Sequence, residues 1–189
     1  MRLLSSETGL VGNLAFAPET LSGKLDRFDT MLRASDSATA TLALWIGIPT
    51  GQGHRGLHAR LRPGPDVVPP ADVLDRLEVP GPQDIAYRRV WLIYRGRILS
   101  DAENWFVPAR LTGAMRMMLA EDEIPFGAVV SPLLPTRETL SAERLWRPGG
   151  TRPRGGLPAR LLRHRALMRT SSGEPICEVS EIYTRNILT

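Results

Sequence analysis

The chain has 189 residues, enough for one hydrophobic core and short of the length at which chains usually divide. With 42% hydrophobic and 23% charged residues it reads as globular, and no apolar run approaches the roughly 20 residues that span a bilayer. A net charge of +4, carried by arginine with Lys24 as the only lysine, fits an anionic partner. The arginines are scattered and aromatics are only 6%, which points away from a nucleic-acid surface. The single cysteine, Cys177, excludes an internal disulfide and suits a reducing cytoplasm. The opening residues lack the continuous apolar core of a signal peptide.

Residues 1–20 read as an irregular lead-in to a single domain covering 1–189. From Ser22 the spacing of Leu25, Phe28, Met31 and Leu32 predicts an amphipathic helix. Asp36 or Ser37 then caps a second helix that includes Leu42 and Trp45. The Gly- and Pro-rich 47–70 stretch breaks helical periodicity, with a short strand at 57–61. His54 and His58 stand there without a third ligand and read as surface histidines.

From Ala86 the period becomes two. Residues 86–95 and 98–107 form a hairpin that turns at Arg95-Gly96. A helix follows, with Leu111, Met115, Met118 and Leu119 as its apolar stripe. Strands are expected at 129–140, 160–170 and 175–184, the last two joined through "SSGE". The expected class is α+β, with one antiparallel sheet of about six strands backed by helices.

Two strands place charge on apolar sides. Arg88 alternates with Val90, Leu92 and Tyr94, and Arg89 with Trp91 and Ile93. Glu181 alternates with Cys177, Val179 and Tyr183. Buried ions come paired or hold a charged ligand, so two readings stand: an Arg–Glu pair across the sheet, or a closed pocket. Arg89 takes the place of Arg88 if the register slips by one residue.

The segments "DSAT", "ENWFVP", "EIPFGAVV" and "EVSEIY" occur in an order and spacing that resemble the chorismate pyruvate-lyase (4-hydroxybenzoate synthase) family, from about Asp29 to Leu188. That resemblance implies an antiparallel sheet with an internal ligand cavity under helical flaps. It implies conversion of chorismate to 4-hydroxybenzoate and pyruvate, as in ubiquinone biosynthesis, with no cofactor or metal. By position it implies Arg88 as carboxylate anchor and Glu181 as acid or base, with Ala38 and Phe126 as flap residues touching the ligand. Where related enzymes carry a second arginine, this chain has Asn104. The same resemblance admits a non-catalytic reading, a sensor or effector-type domain that holds a small aromatic carboxylate. The expected partner is thus a small chorismate-like anion, with no nucleic acid and no membrane, and a cytoplasmic monomer is the simplest assembly. A basic surface meeting nucleic acid is the third reading.

Overall fold

The computed structural model describes residues 19–49, 55–62, 67–120, 123–148 and 156–189. His54 and most of the irregular lead-in lie outside these residues.

Six strands make one antiparallel sheet: β1 (Leu57–Leu61), β2 (Ala86–Tyr94), β3 (Arg97–Phe106), β4 (Thr136–Arg144), β5 (Arg160–Arg169) and β6 (Pro175–Thr184). Their order across the sheet is β1-β2-β3-β6-β5-β4. The β2–β3 turn is the expected one: Arg95 and Gly96 both take positive φ, 47° and 73°. Two successive left-handed residues match the twist of a tight hairpin, and glycine removes the steric cost at the second. Gly173, at φ 88°, does the same between β5 and β6.

Alternation assigns each residue to a face. Val90, Ala102, Glu181 and His164 form one row across β2, β3, β6 and β5. Their neighbours Trp91, Asp101, Ile182 and Arg163 form the row on the opposite side. We call these faces inner and outer.

Two pairs of helices cover the inner face. The first pair is α1 (Leu21–Arg33) and α2 (Ala38–Trp45). Thr20 caps α1 by accepting from the Gly23 N–H at 3.0 Å, and Ser37 caps α2 by accepting from Ala40 at 3.2 Å. Leu25, Phe28, Leu32 and Leu42 pack from this pair onto Val90, Leu92, Leu162 and Tyr183. The second pair is α4 (Gly113–Ala120) and α5 (Phe126–Val130). Met115, Leu119, Phe126 and Val130 join Phe106, Ala166, Cys177 and Val179 in a separate cluster. Between these pairs in the chain comes α3 (Ala71–Leu77), which lies on the outer face instead. Its Val73 and Leu77 pack on Trp105, Val107 and Leu167.

Three expectations need correction. The strand expected at 129–140 begins only at Thr136, because "PFGAVV" is the short helix α5, opened by Pro125 with φ −59°. Its β-branched valines pack into the second cluster, so burial overrides their strand preference. Met118 is exposed, leaving Leu111, Met115 and Leu119 as the buried side of α4. α3 had no counterpart in the periodicity, since seven residues are too few to show a face.

Candidate functional site

The two inner-face clusters leave a cavity between them. Its floor is Val90, Ala102, Asn104, Val179 and Glu181 from the sheet. Its roof is Ser37, Ala38 and Thr39 at the start of α2, with Phe126 and Gly127 at the start of α5. The volume is about 30 Å³, room for a water molecule or two.

Glu181 projects from β6 onto this floor and is only 4% exposed. Its Oε2 accepts a hydrogen bond from the Tyr183 hydroxyl at 2.9 Å. The same oxygen lies 3.6 Å from Nη2 of Arg137, within ion-pair range and longer than a hydrogen bond. Burial raises the Glu181 carboxyl above the usual carboxylate range, opposed by the Arg137 charge and the Tyr183 hydroxyl.

Arg137 was not singled out in the sequence. It is the first inward residue of β4 after Thr136, and its side chain is 1% exposed. Its backbone N–H donates to Asp36 Oδ1 at 3.3 Å. Nη1 donates to the Leu32 carbonyl at 3.3 Å and to Thr139 Oγ1 at 3.2 Å. Nε and Nη2 are buried with no hydrogen-bond partner among the described residues. Buried guanidinium donors are normally all satisfied, so an Nε without a hydrogen bond and an Nη2 held only at ion-pair distance by Glu181, on a residue that lines the cavity, are a signal.

The start of α2 adds donors at the same place. The Ala38 and Thr39 N–H groups sit in the first helical turn, where no intrahelical acceptor exists, and the helix dipole is positive at that end. Asn104, 2% exposed, donates its Nδ2 to the Arg88 carbonyl at 3.4 Å, with Cys177 Sγ 3.9 Å from its Oδ1. Burial pushes the Cys177 thiol well above its ordinary value, so it is an inert core group.

The fold thus brings Glu181, Asn104, Ala38 and Phe126 to one cavity. Arg88 is inward and 4% exposed, but it borders a neighbouring hollow of about 330 Å³ with Phe106, Arg116 and Leu119. Its Nη2 donates to the Ile124 carbonyl at 3.1 Å. Arg89 points to the outer face, where its Nε and Nη2 grip Asp101 at 3.0 and 2.9 Å. Sequence reasoning missed Arg137, Thr39 and Gly127. The only local hint was a charged residue one step into a strand after Pro135. Among the described residues no three His, Cys, Asp or Glu side chains are grouped to hold a metal ion. No helix among them is long and apolar enough to cross a membrane.

A six-stranded antiparallel sheet with helices roofing a central inner-face cavity is a chorismate lyase-like fold. The effector domain of PhnF from Mycobacterium smegmatis matches it with a TM-score of 0.52 at 11% identity, over 80% of this chain and 90% of that domain. The PhnF chain as a whole gives 0.53 at 10% identity, over 82% of this chain and 66% of that one. A GntR-family transcriptional regulator from Bacillus cereus gives 0.45 at 9% identity, over 69% of this chain and 93% of that one. In sequence, the chain is 36% identical over 180 residues to the uncharacterized protein y4mC of Sinorhizobium fredii, a match covering 87% of this chain and 75% of that protein. The chain belongs to the same family as y4mC. No family model matches it.

The expectation of a chorismate pyruvate-lyase is corrected by these likenesses. Solved structures that share the fold with a TM-score above 0.5 include PhnF and its effector domain. Arg88 and Glu181 border separate hollows.

Proposed function

We propose that the chain, as a single domain, is a non-catalytic sensor of a small anionic ligand, held on the inner face between α2 and α5. The observation that carries this reading is Arg137, which lines the cavity and whose buried Nε and Nη2 make no hydrogen bond among the described residues, Nη2 lying at ion-pair distance from Glu181. A ligand carboxylate accepts from both donors in the planar fork that guanidinium favours. The first N–H groups of α2 approach the same anion from the roof. Asn104 supplies a neutral polar contact, and Phe126 with Val90 and Val179 supplies an apolar surface for a flat ring. Aromatic carboxylates therefore suit the site better than polyols. The present volume of about 30 Å³ is far below that of a ring, so α2 and α5 part to admit the ligand.

The same arrangement explains why the domain holds rather than transforms its ligand. Glu181 is engaged by Tyr183 and lies against Arg137, so it acts as the internal counter-ion that the ligand displaces. The test is calorimetric titration of the purified chain with 4-hydroxybenzoate, chorismate and inorganic phosphate, while pyruvate is followed in the chorismate sample. Saturable binding of an aromatic carboxylate, no pyruvate, and a loss of about tenfold or more in affinity for Arg137→Gln are expected. Equal affinity in the Arg137→Gln protein, or no binding of any of these anions, overturns the proposal.

A further inference from the structure

The outer face has a cleft of its own, independent of the cavity above. Among the described residues α3 covers the part of this face around Trp105 and Leu167. Over another part, a hollow of about 330 Å³ opens among Arg62, Trp91, Asp101, Arg160, Arg185 and Asn186. That volume lies in the range of small-molecule sites.

Its charges do not cancel. Asp101 is the acid of the lining, and it is taken up by Arg62 at 2.6 Å and by Arg89. Arg160 makes no ion pair among the described residues. Arg185 donates Nη1 to the Leu157 carbonyl at 2.9 Å and has no carboxylate partner among them. Two exposed arginines of the lining thus have no carboxylate partner among the described residues. The lining is also aromatic and cationic together. The Trp91 indole, half-buried, carries the Arg60 and Arg62 guanidinium groups over its ring at 5.2 and 5.3 Å. Asn186 uses its Nδ2 on the Ile98 carbonyl at 2.8 Å, which leaves its amide oxygen as an acceptor.

We propose that this cleft is a second binding site, for a nucleoside monophosphate. Its phosphate is clasped by Arg160 and Arg185, and its base lies against the Trp91–Arg62 wall with Asn186 at the base edge. The chemistry is selective for that pairing of groups. A phosphate dianion answers two planar guanidinium forks better than a monocarboxylate does. A flat heteroaromatic ring gains from indole and guanidinium stacking, where a sugar phosphate or an aliphatic anion gains nothing. The same unit can come free or as part of a single strand, and the experiment separates these sources.

The full-length chain is titrated calorimetrically with AMP, adenosine, inorganic phosphate and a short single-stranded oligoadenylate. AMP is expected to saturate at about millimolar concentration or below, and adenosine and phosphate alone to bind about tenfold more weakly or worse. Tighter binding of the oligoadenylate with a steep salt dependence assigns the unit to a strand, and tighter AMP assigns it to the free nucleotide. An Arg160→Ala/Arg185→Ala double variant touches only exposed side chains and is expected to lose AMP affinity about tenfold. Trp91→Leu is expected to lose a similar factor, while Arg137→Gln leaves AMP binding unchanged. No saturation with AMP or the oligoadenylate, or full affinity in the arginine double variant, overturns the proposal. Loss of AMP binding in Arg137→Gln would place the nucleotide on the inner face and overturn it equally.

Discussion

Glu181 and Arg137 are the two residues on which the proposed inner site turns, and together they predict that its binding depends on pH. Burial raises the Glu181 carboxyl, so the folded chain holds that proton to a higher pH than the unfolded chain, whose value is about 4.3. Its contribution to stability is therefore full below the unfolded value and is lost as pH rises through the raised folded one. Ligand binding follows the same direction. An anion placed on Arg137 repels the Glu181 carboxylate, so binding takes up a proton. Affinity for 4-hydroxybenzoate is expected to fall as pH rises through the folded Glu181 value. In Glu181→Gln that slope is expected to flatten, because the amide has nothing to titrate. Titrations at a series of pH values above about 5, where the ligand's own carboxyl is ionised, measure it directly. A slope unchanged in Glu181→Gln would remove Glu181 from the site. Glu181 was legible in the sequence because an acid among Cys177, Val179 and Tyr183 breaks a local alternation. Arg137 was not. It is registered with Met168 and, through it, with Cys177, two inward rows from Glu181. Only a chain of cross-strand pairings, each set by bulges and turns far away, brings that long side chain beside the carboxyl.

At the scale of elements, the cavity roof depends on how closely α2 and α5 approach. A Cβ on Gly127 would stand 2.9 Å from Thr39 Oγ1 and 3.4 Å from Thr39 Cβ, both in a buried contact. Gly127→Ala is expected to force the two helices apart and lower stability by about 1–3 kcal/mol. Urea unfolding reads this loss. Adding Thr39→Ala to the same chain should recover most of it, since the side chain that clashes is then gone; a double variant no more stable than Gly127→Ala would rule out the contact as the cause. The long amphipathic helix α1 and the two hairpins were readable because each carries its own signal, a run of Leu25, Phe28 and Leu32 or a positive-φ turn at Gly96. α5 was misread as strand because five residues containing Val129 and Val130 say more about burial than about conformation. The roof of a pocket is built from such short pieces, and local sequence says least about them.

For the molecule as a whole, the sheet is held between unlike coverings. On the outer face, Glu178 joins α3 to the sheet: its carboxylate, 3% exposed, accepts from Arg76 Nε at 2.6 Å and from Arg165 Nη2 at 2.5 Å. Glu178→Ala leaves both arginines without this partner, and their partial exposure lets water recover some of the loss. Destabilisation of about 1–3 kcal/mol is expected in urea, less than a fully buried pair would cost. A change below about 0.5 kcal/mol would mean that Val73 and Leu77 alone seat α3. The class of fold was visible from the order of helical and alternating segments, and the resemblance to chorismate pyruvate-lyases led to the right architecture and the wrong activity. That outcome has a physical basis: a sheet, two helical lids and a hollow can serve a reaction or a recognition event, and the difference lies in a few side chains around the void.

Among the described residues β4, which carries Arg137, is also the margin of the sheet, bonded to β5 on one side only. A bare margin invites a strand from another molecule to dock alongside and lengthen the sheet without limit. Here a break in register between Thr139 and Ser141 interrupts the row of amides, and Glu138, Glu143 and Arg144 line the strand with charge. The Arg137 guanidinium thus sits on a border defended against aggregation, so substitutions chosen to test the proposed recognition along β4 also bear on whether the protein stays dispersed.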